Sequence, residues 1–135
     1  MDMRQLIEEA LEARKQSYSP YSGFRVGAAL ECASGKIYRG CNIENAAYTP
    51  TNCAERTAFF AAISQGERDF CRIAIVGGKE GQMSRPNPCG VCLQVMAEFC
   101  DPETFEVVLA MGPEDYQVRK LGELLPYGFT KEVLS

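Results

Sequence analysis

The sequence predicts an α/β fold, three layers deep, with a mixed five-stranded sheet between helices. Three observations lead there. An apolar stripe of helical spacing opens the chain. Short β-type runs bounded by glycine-containing turns follow it. Two further helix-type segments lie between those runs instead of being gathered at one end.

Taken in order, Met3 to Lys15 sets Leu6, Ile7, Ala10, Leu11 and Ala13 on one helical stripe. Ser17 to Gly23, with Pro20 and Gly23, reads as a turn-rich loop. Phe24 to Cys32 and Lys36 to Asn42 read as two strands, and Ala33-Ser34-Gly35 makes them a hairpin. A loop covers Glu44 to Thr51. Asn52 to Ser64 reads as a helix capped by Asn52, with Glu55 three residues on. Arg72 to Val76 is a buried-type strand ending in Gly77-Gly78, and Lys79 to Asn87 is a loop with Gly81 and Pro86. The next helix starts at Pro88, a residue tolerated at a first helical position, and stops at about Cys100, before Asp101-Pro102. Phe105 to Met111 is a strand, Tyr116 to Arg119 pairs back on it through Gly112-Pro113, and Leu121 to Leu125 is a helical turn. An apolar tail with Tyr127 and Phe129 ends the chain.

The 135 residues fit one domain, residues 1–135, and a chain of this size buries roughly 68% of its unfolded surface without disulfide staples. The net charge of −4 argues against a phosphate-binding surface. The absence of His excludes Ser-His, Cys-His and His-metal chemistry. Met1 to Lys15 mixes acidic and basic residues, unlike a signal peptide. The longest apolar run, Ala58 to Ile63, falls far short of the ~18 residues of a membrane span. Seven Cys in a chain without an export signal point to a cytoplasmic, reduced protein, where clustered Cys bind metal or catalyse.

Two segments at helix starts hold the chemistry, Cys53-Ala54-Glu55-Arg56 and Pro88-Cys89-Gly90-Val91-Cys92. In open α/β sheets such loops gather at a strand-end crevice. Cys89 and Cys92, three apart, share one helix face. Together with Cys53 they make three thiolate ligands, which suits zinc and leaves its fourth tetrahedral position to water, the catalytic pattern. Three thiolates and Zn²⁺ sum to −1, which weakens the pull on that water. Helix N-termini and Arg56, three residues after Cys53, are the candidates to offset the excess. Glu55 lies close enough to face the water without coordinating the metal, and in a chain lacking His a carboxylate is the natural proton shuttle. The plainer reading of Glu55 is a capping box closed on Asn52. Cys32, Cys41, Cys71 and Cys100 read as small buried apolar residues.

Cys53-Ala54-Glu55 and Pro88-Cys89-x-x-Cys92 resemble the zinc deaminase signature. Within that superfamily the chain is most similar to the small, all-Cys, free-nucleoside cytidine deaminases. The resemblance runs from about Tyr18 to Phe129. It takes in Tyr18 to Leu30, Gly40 to Tyr48, and Leu124-Leu125-Pro126. It implies one zinc per chain and hydrolytic deamination of cytidine and deoxycytidine to the uridine products and ammonia, with Glu55 carrying protons to N3 and to the leaving amine. Asn42 and Glu44 match a pair that bonds the ribose hydroxyls, Phe24 an aromatic near the nucleoside, and Ala54 a substrate-binding position. Phe129 matches an aromatic packing on the base from a neighbouring subunit, and Ala46 and Tyr48 the segment completing that site. A homotetramer with shared active sites and a role in pyrimidine salvage are implied. The family commonly has Arg after the last ligand Cys, where this chain has Leu93.

The residues themselves agree in part. Asn42 and Glu44 end a strand at alternate positions and can face one cleft, and an amide with a carboxylate suits sugar hydroxyls and repels phosphate. Three other functions compete. Deamination of a cytosine-nucleoside antibiotic of the blasticidin S type is disfavoured by the intact Asn42-Ile43-Glu44-Asn45-Ala46 stretch. Nucleic-acid editing is disfavoured by the acidic balance and by the Phe105–Arg119 hairpin, because the polynucleotide branch resembles a parallel arrangement there. A structural zinc or redox module requires a fourth ligand or a reactive dithiol, and leaves Glu55 without a role.

Overall fold

The structure is a computed structural model and describes residues 1–134. Helix α1 (Met3–Arg14) is followed by strands β1 (Phe24–Cys32) and β2 (Ile37–Cys41). Helix α2 (Ala54–Ser64), strand β3 (Phe70–Lys79) and helix α3 (Gly90–Phe99) come next. Strands β4 (Glu106–Gly112) and β5 (Asp115–Lys120), a helical turn α4 (Leu121–Leu124) and a 3₁₀ turn at Lys131–Val133 complete the order.

The sheet has five strands in the order β2-β1-β3-β4-β5. It is mixed, as expected: β1 pairs antiparallel with β2 and with β3, β4 with β5, and β3 runs parallel to β4. The parallel pair needs a crossover, and α3 supplies it. Apolar side chains alternate between the two faces of the strands. Ala28, Leu30, Ile73, Ile75, Val107 and Leu109 meet α2 and α3, where Phe59, Met96 and Phe105 fill the larger core. Ala29, Ala74, Val76, Val108 and Ala110 meet Leu6, Ile7 and Ala10 of α1 on the other face. These are the three layers the sequence predicts.

Helix α1 starts where Asp2 accepts from Gln5 N at 2.8 Å while Gln5 Oε1 accepts from Asp2 N at 3.2 Å, a reciprocal cap. Two glycines let helices sit directly on strands. A Cβ at Gly27 would lie 2.1 Å from Ala10 O of α1, and one at Gly40 would lie 2.3 Å from Ala54 O of α2.

Three elements differ from expectation by two residues or more. Strand β3 begins at Phe70, before Arg72, and continues through Gly77-Gly78 to Lys79, because pairing with β1 from Phe24 to Cys32 sustains it. Helix α3 begins at Gly90 rather than Pro88, since Cys89 is its N-cap. Helix α2 is capped by Cys53, not Asn52, which is held instead in a bridge with Ile43. Cys71 also departs from expectation: it is exposed, while Cys32 is buried and Cys41 and Cys100 are partly so. No helix among the described residues is long and apolar enough to cross a membrane.

Candidate active site and metal centre

The loop after β2 and the start of α2 are fastened together before any chemistry is considered. Ile43 N donates to Asn52 O and Asn52 N to Ile43 O, both at 2.9 Å, and Glu44 N donates to Tyr18 O at 2.8 Å. This sets Asn42 near Cys53 and Glu44 near Thr51. The Asn52 side chain donates to Thr57 Oγ1 at 3.0 Å, so Glu55 is not closing a capping box with it.

Cys53 and Cys89 occupy equivalent places, each the extended residue just before a helix, at φ −78°, ψ 157° and φ −72°, ψ 160°. Cys89 Sγ accepts from Cys92 N at 3.4 Å, which turns its sulfur over the first turn of α3. The sulfurs of Cys53, Cys89 and Cys92 all lie within 4.8 Å of one another. Cys53 and Cys89 are separated by 3.8 Å and Cys89 and Cys92 by 3.3 Å. Tetrahedral zinc with Zn–S of ~2.3 Å places its sulfurs about 3.8 Å apart, so the group fits zinc with an opening of about 0.5 Å between Cys89 and Cys92. Soft thiolates also suit this metal. Among the described residues no fourth His, Cys, Asp or Glu joins the group, against the expectation of a structural zinc module.

Arg56 Nη2 donates to Cys53 Sγ at 3.3 Å. Hydrogen bonds from Cys92 and then Arg56 hold the Cys53 thiol below its ordinary range against its burial. Cys92, which donates to Cys53 and is itself buried, is pushed up. Cys92 thus keeps its proton, and binding of zinc must release it. Glu55, the second residue of α2, is only 5% exposed. Burial, and then the Cys53 charge, push its carboxyl up to about 7, where a group both gives and takes protons near neutrality.

A cleft of about 180 Å³ opens over this cluster, lined by Phe24, Asn42, Cys53, Ala54, Glu55 and Cys89 together with Thr51, Pro86 and Asn87. A second hollow holds Glu44 and Tyr48 with Tyr21, Ser22 and Asn45, and meets the first at Thr51. The structure therefore gathers eight of the twelve sequence-predicted residues in or against the first cleft, counting Cys92 and Arg56 through their sulfur contacts, and two at its mouth. Ala46, on the exposed loop, and Phe129, tethered by its N–H to Gln94 Oε1 at 3.2 Å, line neither hollow of their own chain. Tyr21 and Ser22 were not among those twelve. Their amides donate to Glu44 Oε1 at 2.9 and 3.1 Å, and the Ser22 hydroxyl donates to the other carboxylate oxygen. These bonds hold Glu44 below the usual carboxylate range. Asn42 is set in the same way: Oδ1 accepts from Ser17 Oγ and from Val26 N, and Nδ2 donates to Phe24 O at 2.8 Å. Only the crowding of Ser and Tyr between Ser17 and Ser22 hints at this in the sequence.

Residues 1–109 match the family described as the cytidine and deoxycytidylate deaminase zinc-binding region. The chain belongs to this deaminase family. A protein named cytidine deaminase from Sporosarcina psychrophila is 52% identical over 135 residues, covering the whole of this chain and 96% of its own. Another, from Halalkalibacterium halodurans, is 50% identical over 135 residues and 99% of its own length. Among solved structures, cytidine deaminase from Burkholderia pseudomallei superposes with a TM-score of 0.87 at 48% identity, over 96% of this chain and all of the other. That from Mycobacterium tuberculosis gives 0.80 at 36% identity, over 96% and 98%. The zinc-binding character of the family agrees with the three-sulfur cluster, and the mixed sheet with its four helices is the fold of these deaminases.

Proposed function

We propose that this chain, as one catalytic domain spanning residues 1–135, hydrolyses cytidine and deoxycytidine to the uridine nucleosides and ammonia. The observation that carries the reading is the buried carboxyl of Glu55 set in one cleft with Cys53 and Cys89 and beside Cys92. Zinc bound by Cys53, Cys89 and Cys92 would supply Lewis acidity, lowering the pKa of water enough to make it a nucleophile near neutrality.

The other steps belong to the chain's own groups. Glu55 takes a proton as the nucleophile forms, gives it to N3 of the base, and carries a second to the departing amine. Arg56 stays charged beside Cys53 and offsets the excess negative charge of three thiolates. Phe24 and Ala54 form the wall against the nucleoside. Asn42 retains one free amide hydrogen and Glu44 a free lone pair after their bonds within the chain, and these meet the sugar hydroxyls. A phosphate in that place would meet the Glu44 charge, which favours nucleoside over nucleotide.

Ala46, Tyr48 and Phe129 complete the site across a subunit boundary in a homotetramer. Tyr48, Tyr127 and Phe129 are 77, 96 and 57% exposed in the single chain, an apolar surface that association would cover. The enzyme acts in the cytoplasm, in pyrimidine salvage. The relatives at 50 and 52% identity carry the name cytidine deaminase, which supports the nucleoside over the antibiotic substrate.

The test pairs metal content with activity. Protein holding one zinc per chain should lower the ultraviolet absorbance of cytidine and release ammonia in equal amount. Zinc-loaded protein that leaves cytidine and deoxycytidine unchanged would refute the reading.

A further inference from the structure

The segment that leads into Cys89 is unusually free of main-chain support. Residues 85–88 make no backbone–backbone hydrogen bond among the described residues, and two of the four, Pro86 and Pro88, have no N–H to give. The last main-chain tie before it is Ser84 N to Gly77 O at 3.0 Å. The next involves Cys89 itself, whose carbonyl accepts from Leu93 N. Yet Pro86 is buried, and Pro86 and Asn87 form part of the wall of the cleft above the sulfurs.

One side chain bridges the gap. Arg85 Nη1 donates to Leu109 O of β4 at 3.0 Å, and Nη2 pairs with Asp115 Oδ1 at the start of β5 at 2.8 Å. We propose that Arg85 is a positioning residue for the active site: its guanidinium clamps the Pro86–Asn87 wall and the approach to Cys89 onto the β4–β5 hairpin. The clamp uses both arms of a planar fork, a geometry that Lys cannot reproduce. Its function extends the deaminase reading, but its effect on metal retention does not require that reading.

The test uses zinc-loaded wild type, Arg85→Ala, Arg85→Lys and Asp115→Ala. Three quantities are read: the rate of zinc transfer to a chromophoric chelator, KM and kcat on cytidine, and the melting temperature. Arg85→Ala should release zinc about tenfold faster, in the range seen when outer partners of metal ligands are removed. It should also raise KM proportionally more than it lowers kcat. Arg85→Lys, which keeps one arm, and Asp115→Ala, which removes one partner, should each fall between. Wild-type release rate and KM in Arg85→Ala, even with a lowered melting temperature, would make Arg85 a merely structural tie and overturn the proposal. Should Arg85→Ala fail to fold, Asp115→Ala decides, because Asp115 is exposed; unchanged release there also overturns it. A wild type that holds zinc but ignores cytidine would refute the deaminase reading, while the release rates would still judge the clamp.

Discussion

Glu55 is a carboxyl withdrawn from water at the second position of α2, and Gln copies its shape without its proton. Glu55→Gln should therefore bind zinc as wild type does and lose turnover by about 10²- to 10⁴-fold, measured as metal content and kcat on one preparation. Arg56→Ala removes the donor to Cys53 Sγ. It should weaken zinc binding by about 10- to 100-fold in competition with a chelator. Away from the site, burial pushes the Cys32 thiol up to about 11 and the Cys100 thiol up as well. The native protein keeps both neutral where the unfolded chain ionises. The Cys32 stabilisation is complete below the unfolded value of about 9 and drains away as pH climbs through about 11. The stability gap between wild type and Cys32→Ala should accordingly narrow over that window in urea melts. A constant gap would mean that Cys32 ionises alike in both states.

Elements depend on contacts closer than side chains allow. Gly27→Ala would drive a methyl into the α1 backbone, and Gly40→Ala one into α2. Each should cost about 3 kcal/mol or more by thermal melting, at or above the upper end of overpacking penalties. Gly40→Ala should also slow turnover, because Ala54 heads the helix that carries Glu55. The strands and helices were legible because their apolar periods and turn residues are local facts. Boundaries were less so. Asn52 has every credential of a cap, but the bridge to Ile43 takes its backbone and Thr57 its amide. Two cysteines cap the helices that matter, a choice local propensity does not favour. Metal ligation makes sense of it: the cap position points a side chain past the helix end, where sulfurs from α2 and α3 converge. Cys53, Glu55, Cys89 and Cys92 could be read from spacing and residue type. Ser22 and Arg85 could not, because their partners lie 22 and 30 residues away along the chain.

For the whole molecule, three sulfurs separated by up to 39 positions converge between two helices, so metal binding joins parts that otherwise meet through packing and weak sulfur hydrogen bonds. Removing zinc should lower the melting temperature. For free metal at about 1,000 times its dissociation constant the loss is about 4 kcal/mol, checked by melting with and without a chelator. The sheet also separates two populations of residues. Behind it, Leu6, Ile7 and Ala10 of α1 form no part of the cleft wall, while in front Met96 and Phe59 share a core with Cys92 and Ala54. Leu6→Ala should lower the melting temperature and leave kcat/KM of the folded fraction intact, whereas Met96→Ala should disturb both. The rear layer is thus free to drift in sequence under selection for stability alone, and a lineage could rebuild it wholesale without retuning the reaction carried out on the opposite side.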